Sequence, residues 1–586
     1  MVTMTDIKAQ LTGPGGAFEV VTEDVLGRPL PVYKDRMRSL REIPQAAAMR
    51  GDDKDFLVYG DRHYGFTTFT RTANGVARAL ADGFGIGPGD RVAVLSQNNP
   101  EWCLAFWATV SLDAVLVGLN GWWKADEILY GLQDSGASVL VADRKRFERI
   151  ADQLDQAPDL RHVFLADATP DDFPGVTAGG RVTLHRFDEL TTEPTDDVPG
   201  SAIDEDDPAV IFYTSGTTGR PKGAISTHRS MVANRQNTIY TTVAGSMLAA
   251  AHSDGNGGSS SGGGLGSGDT VSLLTSPLFH VSGCHSGLVV GLLAGVKLVI
   301  PAGRFDPVSA LELIQDHRVT VWATVPTMVW RVCEHPARHD YDTSSVATVA
   351  FGGSPSAEEL QRKVRDTFPN VRSTSNAYGL TETSSVATVL TGPDAQRKPW
   401  SVGPPVPTVE VRIVGADGTD AAVGEPGEVC IRGPILMKGY WGKPEATAEA
   451  IDPDGWLHTG DIGLLDDEGY LAITDRMKDM IIRGGENIYC VEIENRLVQH
   501  PAVADAAVIG VPHPELGEEV KAVVQVEAGH TLSEDEVRDW IRQTLAEFKA
   551  PAYLVLSPDP LPRNASGKLL KNVLRGEGVV SFEETM

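Results

Sequence analysis

Cysteine is scarce in this chain: 586 residues hold five, Cys103, Cys284, Cys333, Cys430 and Cys490, and no two form a C-x-x-C pair. That excludes a disulfide framework and a zinc ribbon, and it fits a reducing compartment. Positive charge is also in short supply. Lysine and arginine number 51 against 79 aspartates and glutamates, a net charge of −28. A nucleic-acid or anionic-membrane binder is excluded unless a local basic patch overrides that balance. Long apolar runs are missing too. The longest, "SGLVVGLLAGVKLVI" from Ser286 to Ile300, is interrupted by Gly295 and Lys297 and falls short of the roughly 18 residues a membrane span needs. It reads as a buried helix running into a strand. The opening "MVTMTDIKAQLTGPGG" has no basic start followed by an apolar block, so no secretory signal is visible. The expectation is a soluble, cytoplasmic protein with no transmembrane segment and no nucleic-acid partner.

What is present is ordinary globular composition, 41% hydrophobic and 22% charged, in a chain too long for one core. Strand-like runs ("RVAVLSQ", "ASVLVAD", "HVFLAD", "AVIFYTS", "TVSLLTS", "VKLVIPA", "TVWATVP") alternate with helical patterns such as "EWCLAFWATVSLDAV". That alternation predicts α/β units with mostly parallel sheets. From about Pro399 the texture turns to short β-rich pieces, and a small β-barrel or distorted sheet is expected over about 399–475. After "DRMKDMI" a last α+β piece follows, with strands "AAVIGVP" and "VKAVVQVE" and a helix opened by Ser533 with Glu536 three residues on, a capping box. The expected organisation is a large N-terminal domain over 1–475 made of two α/β subdomains and the barrel, a hinge at 476–478, and a small mobile domain over 479–586.

The segment 245–269 is dense in glycine and serine and reads as a flexible surface insertion. Its "GSSSG" matches the G-x-S-x-G nucleophile pattern in letters only, because no strand precedes it and no helix follows.

The stretch "FYTSGTTGRPKGAISTH", Phe212 to His228, carries more chemistry. Glycine, threonine and proline suit a loop between a strand and a helix. Glycines and hydroxyls after a strand let backbone N–H groups converge into an anion nest. Thr214, Ser215, Thr217 and Thr218 add hydroxyl donors around Gly216 and Gly219, and Lys222 adds a charge. A polyphosphate suits that set. A Walker A loop is excluded, because Pro221 stands where glycine is required.

The stretch "TSGTTGRPKG" resembles the phosphate loop of the adenylate-forming superfamily at every position. In the same order as in that family follow "PLFHVSG" (277–283), "FGGSP" (351–355), "NAYGLTET" (376–383), "GWLHTGD" (455–461), "DRMKDMIIRGGEN" (475–487) and "PRNASGK" (562–568). The resemblance spans about residues 30–575. It implies ATP, Mg²⁺ and coenzyme A as cofactors and a two-step reaction: a carboxylate attacks the α-phosphate of ATP, then a thiol displaces AMP.

The resemblance also implies roles. Glu382 would hold Mg²⁺ and Thr381 would bond the α-phosphate. Tyr378 and Gly379 would lie along adenine, with Gly352, Gly353 and Ser354 on its other side. Asp461 would accept from the ribose hydroxyls, with Arg476 beside it. Lys568 would bridge the carboxylate and the α-phosphate, and Lys478 would sit at the hinge. Gly484 and Gly485 would let the pantetheine arm pass. His280, Gly283 and Ala377 would line the acyl pocket. The trio His280, Cys284 and His285 has poor spacing for zinc and no fourth ligand, so Cys284 and His285 read as wall or core. One departure stands out: Cys490 follows "GGENIY" where the family often has proline.

The expected activity is that of an AMP-forming acyl-CoA synthetase, an acid–thiol ligase of lipid or fatty-acid metabolism. A hydrophobic acid fits the small apolar wall segments, with a fatty acid favoured over an aryl or steroid-derived one. An acyl-AMP ligase loading a carrier protein is the enzymatic rival. A non-catalytic nucleotide-binding regulator is disfavoured, since a binder need not keep Lys568. Homodimerisation stays open.

Overall fold

The computed structural model describes residues 4–200, 202–214, 220–252, 270–352, 358–384, 386–484, 486–563 and 568–576. A strand inside a parallel sheet is buried on both faces, so its sequence is continuously apolar instead of alternating. Val115–Gly118 and Val139–Ala142 are buried at every position. They belong to a seven-stranded sheet ordered Lys222–Thr227, Pro208–Thr214, Val115–Gly118, Arg91–Leu95, Val139–Ala142, His162–Leu165, Thr183–Arg186. A second sheet has eight strands: Thr388–Leu390, Ser373–Tyr378, Thr348–Gly352, Val321–Thr324, Val271–Leu273, Lys297–Val299, Asp55–Tyr59, Arg62–Gly65. Antiparallel pairs occur at one edge of the first sheet and at both edges of the second.

The helices Phe66–Phe84 and Pro100–Ser111 share a core with both sheets. Trp102, Phe106 and Trp107 cluster with Phe56 and Leu57 of one sheet and with Val92 and Val94 of the other. All 12 residues of Pro100–Ser111 are buried. Asn99 starts that helix by accepting the Trp102 N–H at 2.8 Å, with proline at the first turn where its missing N–H costs nothing.

Two expectations change and a third is narrowed. The loop after Pro208–Thr214 does not lead directly into a helix. The chain first returns as the antiparallel strand Lys222–Thr227, and the helix His228–His252 follows. Gly223 makes that hairpin fit, because a Cβ there would lie 2.6 Å from Ile211 Cγ2. Next, the insertion starts later than its composition implied, since 245–252 continues that helix; residues 253–269 lie outside the described set. Finally, the β-rich part is an antiparallel meander, Glu410–Val414, Gly427–Arg432, Leu457–Leu465, Leu471–Arg476. Its first and last strands do not pair among the described residues, so of the barrel or distorted sheet expected it is the open sheet that forms.

The terminal piece has its own core, including Ile481, Val508, Val520 and Ile541. Five strands form its sheet, with Tyr553–Ser557 parallel to Gly517–Val526. Ser533 and Glu536 make the reciprocal capping bonds, at 3.3 Å and 2.8 Å. Cys490 acquires a structural reason as well. Its backbone N–H donates to the Asp475 carboxylate, and its thiol donates to the Asp479 carbonyl at 3.0 Å. A proline at 490 has no N–H and would leave that buried carboxylate without this partner.

Candidate active site

In open α/β sheets, ligands gather beyond the carboxyl ends of the strands. Thr214, Gly352 and Tyr378 are the last residues of three such strands. Thr214 pairs with Lys222 across the hairpin. Ser215, Gly216, Thr217, Thr218 and Gly219, together with Gly353, Ser354 and Gly485, lie outside the described residues. The returning arm of the phosphate loop is pinned to the helix Ala125–Ser135: Tyr130 donates its hydroxyl to the Pro221 carbonyl at 3.1 Å, and the Arg220 guanidinium lies 5.0 Å over the Tyr130 ring.

Lys222 is directed onto an aromatic ring that the sequence reading missed. Its Nζ stands 4.4 Å from the centroid of Tyr440, and the Tyr440 hydroxyl donates to Glu382 Oε1 at 2.8 Å. Tyr440 reaches this place because its segment adds itself to the hairpin. Ile225 N–H donates to Gly439 at 3.0 Å and Trp441 N–H to Gly223 at 2.8 Å. A phenol flanked by glycine in "KGYW" was the available signal, but only the tertiary pairing brings it to Glu382.

Glu382 sits in the short helical turn Thr381–Thr383, and its own carbonyl accepts the Met437 N–H at 2.8 Å. Ser384 ends that turn with φ +47°, and its hydroxyl bonds Ser226 at 3.0 Å and Ser230 at 2.9 Å. The turn is thereby clamped to the strand Lys222–Thr227 and the helix behind it, which fixes Thr381 and Glu382 relative to Lys222.

Asp461 is almost fully buried, and both its carboxylate oxygens are engaged. Oδ2 accepts the Tyr378 hydroxyl at 2.7 Å, and Oδ1 is 3.1 Å from Arg476 Nε. Burial and the adjacent carboxylate raise the Tyr378 phenol well above its ordinary range, so it stays a donor. The turn carrying Asp461 is braced by Glu428, which contacts His458 Nδ1 at 2.8 Å and accepts the Gly460 N–H at 3.1 Å.

Lys568 completes the set. It is half-buried, and its desolvation, with Arg476 close by, lowers its ammonium to about 8 against the pull of Asp461 and Glu382. His280 stands within range of the Lys568 charge; burial first and that charge second push His280 down to about 4, so its ring is neutral. Its Nδ1 lies 3.0 Å from the Ser282 hydroxyl.

The structure thus brings Lys222, Tyr378, Glu382, Asp461, Arg476, His280 and Lys568 around one centre. Ala377 is half-buried on the strand that ends at Tyr378. At Gly283 a Cβ would lie 2.2 Å from the Pro277 carbonyl oxygen, so close backbone packing dictates that glycine. Gly484 is exposed and donates its N–H to Leu516 at 2.8 Å within the terminal piece, away from the buried centre.

The donor set fits Mg²⁺. This ion is held by one or two carboxylates plus substrate phosphates. Among the described residues of the centre Asp461 has both oxygens committed to Tyr378 and Arg476, whereas Glu382 has Oε1 bonded to Tyr440, so Glu382 is the carboxylate that would hold the ion.

The AMP-binding enzyme family model matches residues 44–441, and that of the AMP-binding enzyme C-terminal domain matches residues 492–568. Feruloyl-CoA synthase of Amycolatopsis sp is 36% identical over 539 residues, covering 92% of this chain and 97% of that protein. The 4-coumarate–CoA ligase 2 of Nicotiana tabacum is 34% identical over 558 residues, 94% of each chain. Among solved structures, the Mycobacterium tuberculosis fatty acyl CoA synthetase matches with a TM-score of 0.66 at 31% identity, over 92% of this chain and 98% of that one. With both family models matched in order and relatives covered almost end to end, the chain belongs to the AMP-binding enzyme family and is an AMP-forming acid–thiol ligase.

Proposed function

We propose that the chain joins a hydrophobic carboxylic acid to AMP at the expense of ATP and then hands the acyl group to the thiol of coenzyme A. The observation that carries this reading is the half-buried Lys568 among Glu382, Asp461 and Arg476. A carboxylate oxygen attacks the α-phosphorus while the bond to pyrophosphate breaks, so negative charge concentrates where donors and cations must already stand. Lys568 bridges the attacking carboxylate and the α-phosphate. Thr381 donates to the α-phosphate, and Lys222 faces the departing pyrophosphate. Tyr378 and Asp461 take the nucleoside, with Arg476 holding the Asp461 carboxylate in place. Glu382 would hold Mg²⁺, which supplies charge neutralisation of the phosphates when bound.

A hydrophobic acid suits the largely apolar segment "TVPTM", whose Thr324 hydroxyl is spent within the protein. Thr275 donates to Thr324 at 2.8 Å, Trp322 donates to Thr275 at 3.0 Å, and Thr324 donates to the Met328 sulfur at 3.2 Å. Relatives named for aryl acids and for fatty acyl chains resemble this chain to similar degrees. The proposal therefore covers both classes, where sequence alone favoured a fatty acid.

The test is a panel of aryl and fatty acids assayed for pyrophosphate and for AMP, with and without coenzyme A. Pyrophosphate release with slow AMP release, accelerated by coenzyme A, is the expected result. Acceleration only by a carrier-protein thiol would identify the acyl-AMP ligase instead.

A further inference from the structure

The hairpin that carries the phosphate loop ends its ladder at the pair Thr214 and Lys222. A second anchor for the two arms comes from outside the hairpin, on the helix Ala125–Ser135. Asp134 of that helix keeps only 12% of its side chain exposed, and it gathers three segments. Its Oδ2 accepts the hydroxyl of Tyr213, the residue before the end of the entering strand, at 2.9 Å. Its Oδ1 lies 3.3 Å from the Tyr130 hydroxyl, which also reaches the Pro221 carbonyl of the returning arm at 3.1 Å. The same oxygen meets Lys443 Nζ at 2.6 Å, three residues after Tyr440.

None of these partners is a group that the mechanism above uses. Together they tie both arms of the loop to the segment whose Tyr440 engages Glu382 and Lys222. Burial and the carboxylate raise the Tyr213 phenol above its ordinary range, so it stays a donor. A glycine-rich loop loses conformational freedom when it closes on a ligand, and arms fixed beforehand reduce that loss. Donors already in place when charge arrives are worth more than donors that must reorganise.

We infer that Asp134 is a positioning residue, which holds the phosphate loop and Lys222 in the pose that takes the pyrophosphate part of ATP. The inference rests on the ligase reading above. It separates two ligands, because AMP lacks the pyrophosphate. Loss of the anchor weakens ATP and spares AMP, whereas a residue that merely supports the fold weakens both or neither.

The experiment measures binding of ATP and of AMP by titration calorimetry, each with Mg²⁺ and without an acid. The chains compared are the wild type, Asp134→Asn, Tyr213→Phe and Lys443→Met. Asp134→Asn keeps the shape and one acceptor but presents no charge to Lys443. Its Kd for ATP should rise about tenfold, with Kd for AMP within about twofold of the wild type. Tyr213→Phe and Lys443→Met should move the same way by less. Lys443→Met should add little in the Asp134→Asn background, since the two residues act as one unit. In adenylation the ATP KM should rise while the acid KM holds. Thermal unfolding reports whether each variant folds, and Tyr213→Phe, which loses one hydroxyl, carries the test if Asp134→Asn does not fold. An unchanged Kd for ATP overturns the inference, as does equal weakening of ATP and AMP. A wild type that binds neither nucleotide overturns the ligase reading itself and the inference with it.

Discussion

Tyr440 donates its hydroxyl to Glu382 at 2.8 Å while its ring carries Lys222 at 4.4 Å on the π-face. One side chain thus positions the anion that would hold a metal and the cation that would face the phosphates. Burial and the neighbouring carboxylate hold the Tyr440 phenol well above its ordinary range, so it remains a donor across the working pH range.

Tyr440→Phe keeps the ring under Lys222 and removes only the bond to Glu382. Losing a hydrogen bond to a charged acceptor costs about 1.5–3 kcal/mol. Adenylation should fall about tenfold to a hundredfold, with weaker Mn²⁺ binding to the protein–ATP complex by magnetic resonance. Transfer of a supplied acyl-adenylate to coenzyme A should be nearly unchanged. Unaltered Mn²⁺ affinity would show that Tyr440 serves packing alone.

The fold was legible where burial on two faces wrote itself into the sequence. "VLVA" at 139–142 is apolar throughout because the strand is covered on both sides. The strand Lys222–Thr227 was not legible: "KGAIST" has a loop's composition, yet five of its six residues are buried against Pro208–Thr214 and the 439–441 segment. The end of the helix His228–His252 was missed for the opposite reason, since "MLAAAH" is good helix sequence that was grouped with the glycines after it. Asp461 and Glu382 could be picked from local motifs. Tyr440 could not, because its partner lies 58 residues away and only sheet pairing brings them together.

Asp461→Asn tests the nucleoside side of the site. The amide keeps one acceptor for Tyr378 but turns its other end into a donor facing Arg476, which is 3.1 Å from Asp461 in the native arrangement. Arg476 is part-exposed, so solvent softens the ion-pair loss, whereas the misplaced donor reaches a buried position. The ATP KM should rise about tenfold or more, with the acid KM moving far less. A change confined to the acid KM would place the nucleoside elsewhere.

The Lys568 ammonium should set the alkaline limit of adenylation. Burial and Arg476 lower it to about 8, so the charged form holds below that pH and is lost above it. Since kcat/KM reports groups of the free enzyme, kcat/KM for pyrophosphate release should be level below pH about 8 and fall tenfold per unit above it. Lys568→Arg, which cannot lose its proton in this range, should be slower at neutral pH and show no such limb. If the limb persists in the arginine variant, another group titrates.

Lys568 and Lys478 allow the two half-reactions to be separated. In this arrangement Lys568 is in the centre while Gly484 is exposed and bonded to Leu516, so the terminal piece presents Lys568 and not Gly484. The second half-reaction is proposed to need the other arrangement, reached by rotation about Lys478. That residue is exposed and third in the turn Arg476 to Asp479, closed by the Asp479 N–H on the Arg476 carbonyl at 2.9 Å. Lys568→Ala should slow adenylation about a hundredfold, on the order of 3 kcal/mol of lost charge-assisted stabilisation, and leave thioester formation from synthetic acyl-AMP nearly normal. Lys478→Pro fixes φ near −65° and should do the reverse, because a turn with one soft dihedral removed resists rotation. Pyrophosphate release reads the first step and thioester formation from supplied adenylate reads the second. Equal slowing of both steps in each variant would mean that both reactions occur in the one arrangement described here, with Lys568 in place throughout.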